Sequence, residues 1–234
     1  MSKKKQRKHT TVAASPVVKA MQASLPAELP RPDLSIWVLA GMIGVMLSRL
    51  LHEFAHWIVL RAGGVSSASL LPTAVRFDLS DRFWSLIETT NFTAASQIAP
   101  PAVVGWSELA GPVASVGLTW VAARFVRHAD LRPWLAALGF AAPIRLLAPA
   151  VFAWLVVWRY WQGRPPQRQV GLDEYGVELL LGIPAAFLLL VEVVLTVPAL
   201  RMIWQRCDLG NERLHGIALA AGLCFGLALL AFIG

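Results

Sequence analysis

Leu51-His52-Glu53-Phe54-Ala55-His56-Trp57 lies inside an apolar run that extends from about Ser35 to Arg61. That run exceeds the roughly 20 residues a helix needs to cross the hydrocarbon core of a bilayer. On a helix, His52 and His56 stand one turn apart with about 40° of rotation between them, so both imidazoles can converge on one ion. Glu53, beside His52, can reach a metal-bound water and take its proton. Ionisable groups within a lipid-spanning helix are costly and functional by default. A purely structural reading exists for the same residues: two interfacial histidines near a helix end, with Glu53 paired to Arg49 at i−4.

Composition sets this stretch in a membrane. The chain has 234 residues, of which 56% are hydrophobic and 15% charged, with mean hydropathy +0.58. An average soluble protein carries about 25% charged residues. So much apolar surface does not fit inside one globular core, which excludes an ordinary soluble enzyme. The net charge of +7 is placed where it argues against a nucleic-acid partner. Every lysine lies between Lys3 and Lys19, and the remaining arginines nearly cancel the acidic residues. Residues 1–33, rich in proline and charge, read as a disordered basic cytoplasmic tail, either flanking the first span on an anionic membrane face or simply solubilising the chain. The apolar stretch begins too late and runs too long for a cleavable signal peptide. Cys207 and Cys224 have neither metal-ligand spacing nor a disulfide framework.

Residues 34–234 then form one transmembrane domain. Five spans are expected: Ser35 to Arg61, Glu108 to Val126, Pro133 to Trp161, Leu172 to Ile203 and Leu214 to Ile233. The fold class is an all-α polytopic membrane protein with a short β-hairpin or interfacial loop after the first span. Ala74 to Leu79 alternates apolar and polar, as a strand does. Val65 to Leu71 is its expected hairpin partner, with Pro72-Thr73 in the turn. Ile98-Ala99-Pro100-Pro101 suits an interfacial or re-entrant loop. Small residues at four-residue spacing, Ala218, Gly222 and Gly226 in the last span and Gly111 and Ser115 in the second, allow close helix packing. By themselves they indicate no chemistry.

A zinc site needs a third protein ligand and keeps one position for water. His9 lies in the tail, and His128 and His215 flank spans in charged loops. The acidic cluster Asp173, Glu174 and Glu178 at the start of the fourth span is the better source, and it reaches the histidines only if the third span crosses the membrane. Glu174, Glu178 and Glu192 share one helical stripe, with Asp173 about 100° from Glu174. Asp173 can alternatively be an N-cap, and Glu192 can pair with Arg145 inside the bundle.

With these motifs the chain resembles the site-2 protease family of intramembrane zinc metalloproteases. The resemblance covers about residues 35–200 and rests on three pieces. They are the HExxH from Leu51 to Trp57 followed by Arg61 and Gly63-Gly64, the Glu108 to Ser115 segment similar to the family's AGPxxN element, and Leu172-Asp173-Glu174-Tyr175-Gly176, similar to its Leu-Asp-Gly segment. It implies Zn²⁺ held by His52, His56 and Asp173, Glu53 as the general base, and a strand-bearing loop near the site. It also implies cleavage of a transmembrane protein substrate within the lipid bilayer. Ser115 stands where the family usually has Asn, Glu174 where it has Gly, and residues 131–160 form an extra apolar segment. The reading from another class is a non-proteolytic zinc-binding scaffold or transporter, supported by the acidic stripe.

The expected location is integral and multi-pass, in the plasma membrane of a prokaryote. Thirteen basic residues fall on the side of the tail and the loops around 124–132 and 201–213, against six on the other. The positive-inside rule puts the N-terminus in the cytoplasm and the site nearer the opposite face.

Overall fold

The computed structural model describes residues 33–126, 131–147, 158, 161–162, 173–209 and 212–233. The expected tail lies outside them except for Asp33, whose carboxylate accepts from the Ser35 N–H (3.3 Å) to cap the first helix, α1 (Leu34–Ala62). The helix ends at Gly63, and Gly64 adopts φ +89°, a conformation that glycine reaches without a Cβ clash.

The sides of α1 have the polarity of a membrane helix. Leu39, Ile43, Leu47, Leu50, Phe54 and Ile58 recur every three or four residues and are exposed. The buried side carries Trp37, Val45 and Leu60 but also Gly41, Gly44, Ser48, His52, Glu53 and His56. A helix that exposes a stripe of large apolar residues and buries its ionisable ones has the pattern of a lipid-facing helix.

The expected hairpin is present but shorter. Strand β1 (Ser69–Leu70) pairs antiparallel with β2 (Val75–Arg76), Ser69 opposite Arg76 and Leu70 opposite Val75. The Leu71 N–H donates to the Ala74 carbonyl (2.9 Å) around Pro72-Thr73. Two short helices follow, α2 (Ser80–Glu88) and α3 (Phe92–Ala95). Neither was expected, although Phe83 and Ile87, one turn apart and buried, are the signature of a short amphipathic helix.

After the Pro100-Pro101 entry, α4 (Pro101–Phe125) runs antiparallel to α1: Val103 lies against Gly63, Ser107 against His56, and Ser115 against His52. The third expected span is described only in its first part, α5 (Arg132–Ala141) and a 3₁₀ turn over Ala142–Leu146; most of the remainder lies outside the described residues. Here α5 runs parallel to α1, with Ala137 against Gly44.

The fourth span, expected as one helix, is two. Helix α6 (Asp173–Leu181) stops at Gly182, φ +72°, and α7 (Ala185–Arg206) restarts after Pro184. Gly176 lies by Glu108, and Leu180 and Leu181 lie by Gly105, so α6 runs against α4. The Trp120 indole donates to the Leu195 carbonyl (3.0 Å) and Arg206 to that of Ala123, so α7 runs with α4. The pair is therefore a helical hairpin, and Asp173 lies on a helix that ends at Leu181 instead of running on to Ile203.

The last helix, α8 (Arg213–Ile233), lies parallel to α1. Among the described residues, three helices are long and apolar enough to cross a membrane: α1, α7 and α8. That is short of the five spans expected; α4 is 25 residues long but is not among the three.

The α1–α8 contact depends on absent side chains. A Cβ at Gly41 would lie 2.8 Å from backbone atoms of Leu219, Gly222 and Leu223, and one at Gly222 would collide with the Val38 carbonyl. Gly222→Val should therefore destabilise the protein by about 1–3 kcal/mol, the usual cost of overpacking. Gly117→Ala, where no atom lies within 4 Å of the added methyl, should be neutral. Thermal unfolding of the two variants in detergent checks this.

Candidate metal centre

Helix α1 supplies two ligating side chains one turn apart. The His52 and His56 Nε2 atoms face each other at 3.0 Å, with the rings 77° from coplanar. Both side chains are buried. His56 lies six residues before the end of α1, about 9 Å along the helix axis.

Contacts on the far sides of the rings orient them. His56 Nδ1 lies 2.7 Å from the Ser107 carbonyl oxygen. A carbonyl only accepts, so Nδ1 carries the proton, and Nε2 of the neutral ring is a bare lone pair. Ser107 grips the same residue twice, its hydroxyl donating to the His56 carbonyl at 3.0 Å. His52 Nδ1 lies 3.0 Å from the Ser115 hydroxyl. Such partners on the second ring nitrogen are the usual support of a histidine ligand. Gly111 and Ser115, expected as packing residues and as part of the AGPxxN-like segment, thus touch the centre directly. A Cβ at Gly111 would fall onto both imidazoles.

The third donor comes from α6. Asp173 Oδ2 is 3.0 Å from His52 Nε2 and 3.7 Å from His56 Nε2. The three donor atoms all lie within 4.8 Å of one another and form a group that can hold a metal ion. Chemistry supports the fit. Two imidazole nitrogens and a carboxylate oxygen converge on one point, and positive charge there, carried by a proton or a metal ion, relieves their repulsion.

The remaining acidic residues take other places. Glu53 pairs with Arg49 at 2.6 Å, the contact that the structural reading of the motif expects, and Arg49 also donates to the Thr73 carbonyl in the hairpin turn (2.9 Å). Glu53 nevertheless lines the same cavity as His56 and Asp173, about 270 Å³ in volume, together with Ala74 to Phe77. Glu178 is not a ligand: its carboxylate accepts from the Ala185 N–H (3.1 Å) and caps α7. Glu174 and Glu192 both bind Arg145, which also approaches Asp173. The single acidic stripe does not exist as one helix face, but the expected Glu192–Arg145 pair does. His215 sits elsewhere, stacked on Trp37 at 5.2 Å and paired with Glu212. His9 and His128 lie outside the described residues.

Glu108, read from sequence only as part of a motif, is a further carboxylate lining the cavity. Its signal was an acid within an otherwise apolar span. Ser107 gave no signal, because it acts largely through its backbone carbonyl.

No family model, curated protein or solved structure matches this chain. The centre is therefore read from its own geometry. Gly111→Ala should lower bound metal at least as far as loss of an orienting partner does, roughly 10- to 100-fold in affinity. Gly117→Ala on the same helix should leave it unchanged. Elemental analysis and metal titration of the purified variants check both.

Proposed function

We propose that the chain is an intramembrane zinc metalloprotease that hydrolyses peptide bonds of membrane-embedded protein substrates. The carrying observation is that two imidazole nitrogens and a carboxylate oxygen converge beside Glu53 on a helix whose other face suits lipid. The resemblance to the site-2 protease family points the same way. His52, His56 and Asp173 would hold Zn²⁺, a choice of metal that the imidazole and carboxylate donors and the HExxH spacing favour. Bound there, the ion would supply Lewis acidity toward the scissile carbonyl and the attacking water.

The protein's own groups do the rest. Glu53 takes a proton from the attacking water and delivers it to the leaving amide nitrogen as the C–N bond breaks. Arg49 holds one oxygen of Glu53 and leaves the other for that transfer. Ser107 and Ser115 keep the imidazoles turned inward. Residues Ala74 to Phe77 line the cavity, and among the described residues β2 pairs with β1 alone. An unwound substrate segment can add to its free edge, which satisfies the N–H and C=O groups exposed when the substrate helix opens.

The protein is multi-pass, in the plasma membrane of a prokaryote. The basic loops after α4 and α7 face the cytoplasm by the positive-inside rule. A scaffold or transporter built on the acidic stripe is less favoured, because Glu174 and Glu192 are held by Arg145 and Glu178 caps a helix.

In liposomes containing a single-span substrate, Glu53→Gln should retain about one zinc per chain and lose cleavage, by roughly 10²-fold or more. His52→Ala and His56→Ala should lose both. Product masses and zinc content measure the two effects, and cleavage by Glu53→Gln at the wild-type rate would refute the proposed role.

A further inference from the structure

Arg145 lies in the 3₁₀ turn that follows α5, and its side chain is largely buried among three carboxylates. Its Nη1 is 2.6 Å from Glu174 Oε1 and 3.4 Å from Asp173 Oδ2, and its Nη2 binds Glu192. Asp173 Oδ2 is the same oxygen that faces His52 and His56. One nitrogen therefore touches both the ligating carboxylate and its sequence neighbour. The two carboxylate oxygens are no farther apart than those two contacts laid end to end.

Glu174 is equipped to compete for the metal. Its Oε2 is buried without a hydrogen-bond partner among the described residues, as is Glu192 Oε1. A carboxylate with an oxygen that accepts from no donor, beside a three-donor centre, is a potential fourth ligand, and a fourth protein ligand closes the position that water needs. Neighbouring helix residues point about 100° apart, which turns Glu174 away from the histidines and toward Arg145. A guanidinium suits this task because its donors form a rigid planar fork that engages several carboxylate oxygens at once.

We propose that Arg145 is a positioning residue that selects Asp173 as the third ligand by holding Glu174 and Glu192 away from the metal. This rests on the reading of His52, His56 and Asp173 as a metal centre. It goes beyond that reading by assigning the choice between adjacent carboxylates to a residue on a different helix.

The test uses the full chain, purified in detergent, stripped of metal and titrated with Co²⁺, whose visible absorption reports both binding and coordination number. Asp173→Ala should weaken binding by roughly 100-fold, because Arg145 still withholds Glu174. Adding Arg145→Gln should recover roughly tenfold as Glu174 takes the vacated place, and a further Glu174→Gln should abolish the recovery. With Asp173 present, Arg145→Gln should shift the Co²⁺ spectrum toward the weaker absorption of a higher coordination number.

A double variant that binds no better than Asp173→Ala overturns the proposal, and so does a recovery that survives Glu174→Gln. If Arg145→Gln does not fold, Arg145→Lys replaces it, keeping the charge without the fork. A smaller recovery is then expected, and its absence counts in the same way. Failure of the underlying reading looks different: the wild-type chain takes up no Co²⁺, which overturns both.

Discussion

Three electron-rich atoms held within a few ångströms of one another are the constraint around which this structure is arranged. His52 and His56 Nε2 are 3.0 Å apart, with Asp173 Oδ2 at 3.0 and 3.7 Å. Such a cluster is unstable against its own repulsion unless the rings are fixed from behind and the centre holds positive charge. The carbonyl of Ser107 and the hydroxyl of Ser115 fix the rings. Both belong to α4, and the missing side chain at Gly111 lets α4 come close enough to supply them.

The same principle governs the rest of the bundle. Lipid offers little hydrophobic incentive for one apolar helix to prefer another, so association relies on close backbone packing and buried polar contacts. Gly41, Gly222 and Gly226 supply the first between α1 and α8. The second comes from the Trp120 indole on the Leu195 carbonyl and from Arg206 on that of Ala123, which join α4 to α7. The outside of the bundle carries many exposed Leu, Ile, Val, Phe and Trp side chains.

Charge is concentrated in one place. Arg49 joins Glu53 to the hairpin turn, and Arg145 joins α6 to α7 across the break at Gly182 to Pro184. Removing one partner from a buried ion pair typically costs about 3–5 kcal/mol, because it strands the other charge. Bringing Asp173 to the histidines and pairing Glu174 and Glu192 are thus mechanically one arrangement, held together by a single guanidinium.

Local features were legible in the sequence. The length and hydropathy of the first span, the i, i+4 histidine pair and the alternation at Ala74 to Leu79 each depend only on helix or strand geometry over a few residues; the first two are found in place, and the third only as a strand over Val75–Arg76. Asp173 came from family resemblance and was not distinguished from Glu174 by spacing. What local pattern did not reveal was where the chain reverses. An apolar run from Leu172 to Ile203 reads as one span, yet Gly182 at φ +72° and Pro184 divide it into a hairpin. That reversal puts Glu174 and Glu192, taken for neighbours on one helical stripe, on two antiparallel helices whose carboxylates are both held by Arg145. Which groups are available for chemistry follows from residue order alone, since helical periodicity is a short-range property. Which carboxylate faces the histidines does not, because that depends on contacts from α4, on the turn after α5 and on the α6–α7 break, all remote from the motif along the chain.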